Sequence, residues 1–273
     1  MTTPQELRDI AHQLQSAQDE VRQFEPMTAH RHGFDVDSAY AVAHLIHESR
    51  QAAGFTPVGR KVGFTNASLW PVYDVHEPIW GYVYDTTVVN LPAGDATCRI
   101  ARFAEPKIEP EIILHFRTAP PVAGDAAAIL ACVDWIAHGF EIVQSVYPGW
   151  KFKVADTIAN SAMHATLLVG APQPVERLGP GLLGKLEQFV VRMSCDGSLA
   201  DTGKGANVLG SPLAAIAHLL GVLARQPQYS SLGANEIVTT GSLTAALPVK
   251  PGETWRTEVD GIALPGLAVT FVA

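Results

Sequence analysis

The sequence predicts an α+β or mixed-β fold, and three observations predict it. Helical patterns come first and β-rich runs dominate the remainder of the chain. From Val58 onward those runs are short and broken repeatedly by Gly and Pro. There is no regular strand–helix alternation and no internal repeat. With 273 residues, 47% hydrophobic and 17% charged, the chain is long enough to bury a large core.

In chain order, Pro4 to about Phe24 reads as a polar amphipathic helix. In a second helix Ala39, Val42, Ala43 and Ile46 share one face, Asp37 or Ser38 caps the start, and Gly54 stops the end. Residues 1–57 are therefore expected to be an N-terminal helical segment, with a β-rich domain over 58–273. Strands are expected at Gly81–Leu91, Ile108–Phe116 and Phe140–Val146, with a helix at Gly124–Ala137. Phe189–Cys195 is a further strand, Asp196-Gly197 a turn, and a helix runs from Ser211-Pro212 to about Arg225. Strands at Glu236–Thr240, Thr254–Val259 and Ala268–Val272 close the chain. Gly203-Lys204-Gly205 lacks the spacing of a phosphate loop and reads as a glycine-rich turn.

Composition removes several classes of function. The net charge of −8 and a pI near 5.6, without a basic cluster, make nucleic acid and anionic membranes poor partners. The N-terminal twenty residues hold no apolar run of the secretory kind. Pro212–Ala224, the longest apolar stretch, is interrupted by His218 and is short for a bilayer span. Cys98, Cys132 and Cys195 are isolated and odd in number, which suits neither a disulfide framework nor a zinc motif. A cytoplasmic protein is expected.

Chemistry concentrates in three glutamates. On a strand Glu109 and Glu111 point the same way, about 7 Å apart, and repel unless a cation lies between them. Glu141 is a third carboxylate in an apolar run, where a charge needs a partner. Three carboxylates converging on one point suit Mg²⁺ or Mn²⁺. The Glu-x-Glu spacing equally describes a solvated strand face. Two details set this strand apart. Ile112–Leu114 lead into the core, and Pro106 and Pro110 cannot donate to a ladder.

Seven segments in series sharpen the picture. They are Val58–Thr65 (VGRKVGFT), Glu77–Gly81 (EPIWG), Pro106–Ile112 (PKIEPEI), Phe140–Val143 (FEIV), Val208–Pro212 (VLGSP), Thr240–Leu243 (TGSL) and Pro251-Gly252. In this order they resemble the fumarylacetoacetate hydrolase superfamily, in its 2-keto-4-pentenoate hydratase and 4-oxalocrotonate decarboxylase branch, from about residue 36 to the C-terminus. The resemblance implies a mixed β-roll with peripheral helices, and Glu109, Glu111 and Glu141 as ligands of Mg²⁺ or Mn²⁺. It implies a 2-oxo acid substrate from aromatic ring-cleavage degradation, chelated by that ion, which stabilises a developing enolate. It places Lys61 at the active site as proton shuttle or fixed charge, and Ile79, Met163, Thr240, Gly241 and Ser242 around the substrate. It also implies a homo-oligomer and association between hydratase and decarboxylase.

The chain departs from the pattern at four places. Ile79 stands where hydratases of the branch tend to carry Asp and decarboxylases an apolar residue, which favours decarboxylation. Met163 and His164 replace small residues, and His164 is a candidate acid or base. Ser211 stands where His is frequent, and Gln144 where Asp is frequent. The loop Tyr147–Thr157, with Trp150, Phe152 and Lys153, is suited either to covering a carboxylate-bearing substrate or to an ordinary turn. Two competing readings are a C–C hydrolase of acylpyruvate type, which needs a His–carboxylate pair that His30 and His32 do not obviously supply, and a non-catalytic partner subunit.

Overall fold

The computed structural model describes residues 2–67, 70–73 and 75–273. Three helices lead: α1 (Pro4–Asp19), the single turn α2 (Met27–His30) and α3 (Val36–Ala52). Thr3 caps α1, its hydroxyl accepting from the Glu6 N–H while the Glu6 carboxylate accepts from the Thr3 N–H at 2.7 Å. The helix ends at Asp19, short of Phe24, whose N–H is taken by the Val146 carbonyl at 2.9 Å. Asp35, not Asp37 or Ser38, caps α3 by accepting from the Ser38 N–H at 2.9 Å.

The strands are β1 (Pro57–Gly63), β2 (Ile79–Tyr84), β3 (Val88–Leu91), β4 (Asp95–Arg99), β5 (Lys107–Phe116), β6 (Val133–Val143) and β7 (His164–Gly170). They continue with β8 (Gln173–Pro174), β9 (Val190–Cys195), β10 (Ser198–Lys204), β11 (Glu236–Thr239), β12 (Leu247–Pro248), β13 (Thr254–Asp260) and β14 (Ala268–Val272). Between them lie α4 (Trp70–Tyr73), α5 (Ala126–Leu130), α6 (Val154–Ala159), α7 (Leu182–Gln188) and α8 (Pro212–Ala224). One sheet runs β2-β1-β11-β5-β6-β7-β3, with β12 added to β5 and β8 to β6; the other runs β10-β9-β13-β14-β4. β1/β11, β3/β7 and β4/β14 are parallel and the rest antiparallel, giving an α+β fold of mixed sheets.

Three expected elements differ. Gly81–Leu91 is not one strand: a 3₁₀ turn at Asp85–Thr87 separates β2, on β1, from β3, on β7 at the opposite edge. Asp85 turns the chain by accepting from the Thr56 and Thr86 N–H groups. Only Ala126–Leu130 of the expected helix over Gly124–Ala137 is helical. Val133, Trp135 and Ile136 instead open β6, because β-branched and aromatic side chains fit the pleat against β5. Gly203 and Lys204 end β10, paired with Val191 and Val190, so ladder pairing overrides their turn propensity.

Ile10 and Leu14 of α1, Val42 and Ile46 of α3 and Leu213, Ile216, Leu219, Leu220, Val222 and Leu223 of α8 share one core with Ile112 and Leu114 of β5. Gly205–Ala224 has the length and mean hydropathy, 1.6, of a membrane-crossing segment. Here it is a 3₁₀ turn followed by α8, whose Leu213, Ile216, Leu219 and Leu220 are buried in that core. Ser211 caps α8 through the Leu213 N–H, which accounts for a small hydroxyl at this position. A second cluster fills the space between the sheets, with Ile108, Phe140, Ile142 and Leu168 against Trp255, Val269 and Phe271. Each such fully buried side chain contributes about 1.5–3 kcal/mol, so the strands that carry the glutamates are anchored on their opposite face.

Candidate active site

The three glutamates meet on one face of the larger sheet. Alternation along β5 puts Lys107, Glu109 and Glu111 on the same side. The antiparallel register sets Glu109 directly opposite Glu141 of β6, and Glu111 opposite Gly139. One carboxylate oxygen from each glutamate lies within 4.8 Å of the other two.

Lys61 enters from β1, beside Gly81 of β2 and Thr239 of β11. Its Nζ donates to the Ala162 carbonyl at 2.9 Å and stands 3.3 Å from Glu141 Oε2, an ion pair rather than an aligned hydrogen bond. Arg60 takes the opposite face, as alternation predicts, and pairs with Glu236 at 2.9 Å. Glu141 Oε1 lies 2.7 Å from His164 Nδ1, and His164 Nε2 lies 2.8 Å from Thr87 Oγ1. Glu111 Oε2 accepts from the Gly241 N–H at 2.9 Å. Gly241 has φ +101°, and a Cβ there would fall 1.8 Å from Thr65 Oγ1, so the turn after β11 requires glycine to reach Glu111.

The carbonyl that holds Lys61 belongs to an unusual turn. Ser161, Ala162 and Met163 have φ of 53°, 50° and 65°, three consecutive left-handed residues, none of them glycine. Each costs roughly 1–2 kcal/mol, so the surroundings must impose the shape. Gln18 of α1 donates to Asn160 Oδ1 at 2.7 Å on one side. On the other is bare Gly81, where a Cβ would meet the Ser161 carbonyl at 2.9 Å.

The charges do not balance. Glu111 and Glu141 are 0% exposed and Lys61 4%. Burial pushes Glu109 up to about 7 against the pull of Lys61. Burial, then the charges of Glu141 and Glu109, push Glu111 well above the usual carboxylate range. Burial also raises Glu141, but the Lys61 ammonium and the His164 hydrogen bond prevail and hold it at about 2. Burial lowers Lys61, and the three glutamates outweigh it and raise it. Among the described residues, buried Glu111 Oε1 and Glu141 Oε2 have no hydrogen-bond partner. Orphaned oxygens on converging carboxylates fit a hard divalent cation, which takes oxygen ligands.

A cavity of about 200 Å³ opens on Lys61 and Glu109, between the segments Val62–Asn66 and Gly241–Ala246. Of the residues nominated from sequence, Lys61, Glu109, Glu111, Glu141, His164 and Gly241 come together. Ser242 is at the cavity, its hydroxyl donating to the Thr244 carbonyl. Ile79, Met163 and Thr240 do not line it. Ile79 packs in the core opposite Gly63, Met163 is buried with its sulfur on the Asn160 amide, and Thr240 spends its N–H and hydroxyl on the Ile112 carbonyl. Gln144 accepts from the Ala104 N–H, and His30 and His32 are exposed. Sequence reasoning missed Thr87, the Ala162 carbonyl and Thr239, whose buried hydroxyl has no partner among the described residues. Thr239 adjoins the Thr240–Leu243 segment and was within reach; a backbone carbonyl carries no residue-type signal.

No protein-family model matches the chain. The 2-keto-4-pentenoate hydratase of Paraburkholderia xenovorans (strain LB400) is 29% identical over 263 residues, covering 95% of this chain and 93% of that protein. The solved structure of 4-oxalocrotonate decarboxylase from Pseudomonas putida G7, complexed with magnesium and adipate, superposes with a TM-score of 0.89 at 26% identity, covering 100% of this chain and 99% of that one. Fumarylpyruvate hydrolase from Pseudomonas aeruginosa shares the fold, with a TM-score of 0.58 at 16% identity over 78% of this chain and 88% of that one. The chain resembles these hydratase and decarboxylase proteins in both sequence and fold. That likeness extends over nearly their whole length, including the N-terminal helices.

Proposed function

We propose that this protein is a divalent-metal-dependent lyase acting on a 2-oxo acid in its 2-hydroxydienoic form, and that the reaction is decarboxylation of the 4-oxalocrotonate type. The observation that carries the reading is the convergence of Glu109, Glu111 and Glu141 within 4.8 Å beside a buried ammonium. Those three residues would hold Mg²⁺ or Mn²⁺, as the named relatives' complexes with magnesium and with Mn²⁺ support. The bound ion would supply Lewis-acid stabilisation of negative charge developing on the 2-oxo oxygen.

The chain's own groups do the rest. Lys61 Nζ, fixed by the Ala162 carbonyl, places a positive charge and a transferable proton beside the substrate. His164 is engaged at both ring nitrogens, so we assign it to orienting Glu141 rather than to acid–base work on the substrate. Gly241 positions Glu111 in the same way. Ile79 packs behind cavity-lining Gly63, on the side nearest Lys61, and puts no carboxylate there to activate water, which favours loss of CO₂ over hydration. The His164–Glu141 pair would suit a hydrolase, but Nε2 is directed at Thr87 instead of the cavity on Lys61. The constellation is too complete for a non-catalytic subunit. A cytoplasmic homo-oligomer, associating with a hydratase, completes the proposal.

The test is direct. Incubation of 2-hydroxymuconate-type and 2-hydroxypentadienoate substrates with Mg²⁺ is expected to release CO₂ from the former. Dienol loss without CO₂ would replace decarboxylation by hydration, and no turnover of either would overturn the lyase assignment.

A further inference from the structure

We propose that a second cavity, behind His164, is a binding site for a small aromatic carboxylate, separate from the site at the three glutamates. Glu141 stands between the two, with Oε2 beside Lys61 and Oε1 beside His164. The inference goes beyond the functional reading above and does not depend on it.

Four observations carry it. First, there is room. A cavity of about 290 Å³ lies between α1, α3, β2 and the segment at Phe103, near the roughly 300 Å³ at which small-molecule pockets begin. His164 lines it, while Lys61 and the three glutamates do not. Second, Phe55, Tyr82, Tyr84 and Phe103 give it aromatic walls, suited to the faces and edges of a ring. Third, its free polar groups are donors. Gln144 is 7% exposed, and its Oε1 accepts from the Ala104 N–H at 3.2 Å, which fixes the amide's orientation. Its Nε2 makes no hydrogen bond among the described residues and is open to the cavity. Gln144 stands where Asp is frequent in the resembled pattern, so the chain presents a neutral donor here in place of a carboxylate. The Ser161 hydroxyl, which accepts from Gln18 at 3.4 Å, has its own proton to give. Fourth, the lining carries an excess of positive charge in a chain of net charge −8. Its one carboxylate, Asp19, is taken by Arg50 through bonds of 2.5 and 3.1 Å. Arg102 remains, its guanidinium 4.8 Å from the Phe103 ring centroid and without a hydrogen bond or ion pair among the described residues. A free guanidinium and an amide N–H beside aromatic walls suit a planar carboxylate, held by charge-assisted hydrogen bonds.

Benzoate is the probe, and calorimetry reads its binding in EDTA and again in Mg²⁺ with saturating oxalate, a chelating competitor for an ion on the glutamates. The wild type is expected to bind benzoate equally under both conditions. It is expected to bind benzamide, which lacks the charge, and acetate, which lacks the ring, about tenfold or more weakly. Gln144→Glu keeps an oxygen for the Ala104 N–H and replaces the free donor by an anion. It is expected to weaken benzoate by about tenfold or more while retaining the wild-type melting temperature. Arg102→Gln, at an exposed position, is expected to weaken benzoate several-fold and carries the test if Gln144→Glu fails to fold. No preference for benzoate over benzamide, loss of benzoate binding in Mg²⁺ and oxalate, or wild-type affinity in Arg102→Gln and in folded Gln144→Glu overturns the inference.

Discussion

Glu111 and Glu141 are fully buried carboxylates, and among the described residues one oxygen of each has no hydrogen-bond partner. Three converging carboxylates beside the single ammonium of Lys61 destabilise the metal-free protein, since buried charge that is not fully compensated is costly. Replacing Glu109 and Glu111 together by Gln is therefore expected to abolish stabilisation by Mg²⁺ or Mn²⁺ while leaving the metal-free melting temperature unchanged or higher. Thermal melts with EDTA and with each ion check this, and a retained metal response would remove the glutamates as ligands. Lys61→Met is expected to lower kcat by about 10²–10⁴-fold, with a smaller loss of melting temperature in Mg²⁺ than in EDTA. Unchanged turnover would remove Lys61 from the mechanism. Much of this was legible in the sequence, because period-two alternation and a register between two adjacent strands suffice to bring Glu109, Glu111 and Glu141 together. The contact of His164 with Glu141 was not. It depends on the register shift between Ile142 and Val143, where β6 meets β7, and no residue type announces a shift.

Gly241 shows how an element's end shapes a site. The chain leaves β11 with φ +101°, presses against Thr65 and presents its N–H to Glu111. Gly241→Ala is expected to destabilise the fold by roughly 1–3 kcal/mol and to weaken Mg²⁺ binding, read by urea unfolding and metal titration. Full retention of metal affinity would deny the turn its part in the site. At this scale the sequence was a mixed guide. β5 was recognised within a residue because its apolar run and flanking prolines are local signals. The helix expected over Gly124–Ala137 failed because Ala126–Leu130 is a helix former joined directly to strand residues, and only pairing with β5 decides where one ends. The break between β2 and β3 was hidden because Asp85 acts through Thr56, twenty-nine residues earlier in the chain.

For the molecule as a whole, α3 packs on the face of β2 that carries Trp80, Tyr82 and Tyr84, and carries its own pH limit. His47 stacks on Tyr82 at 3.6 Å, with Nδ1 3.0 Å from the Tyr84 hydroxyl. Burial, then the charges of Arg60 and His44, lower it to about 4. The unfolded chain, with an ordinary histidine near 6.5, binds a proton that the native ring refuses. The associated stability is full above pH 6.5 and is lost as the pH falls through 6.5 towards 4, by about 1–3 kcal/mol. Melting temperatures between pH 7.5 and 5 are expected to fall less steeply in His47→Phe than in the wild type, and equal slopes would remove His47 as the source.

The left-handed turn at Ser161–Met163 also marks where stability and turnover compete. Ala162→Gly removes the chiral penalty at φ 50° and is expected to raise stability by roughly 0.5–1 kcal/mol, while loosening the carbonyl that aims Lys61. A laboratory selection for heat resistance would accept that change early, and one for catalytic rate would reject it. The first helix, which holds Asn160 through Gln18, belongs on the same side of that trade as the lysine it never touches.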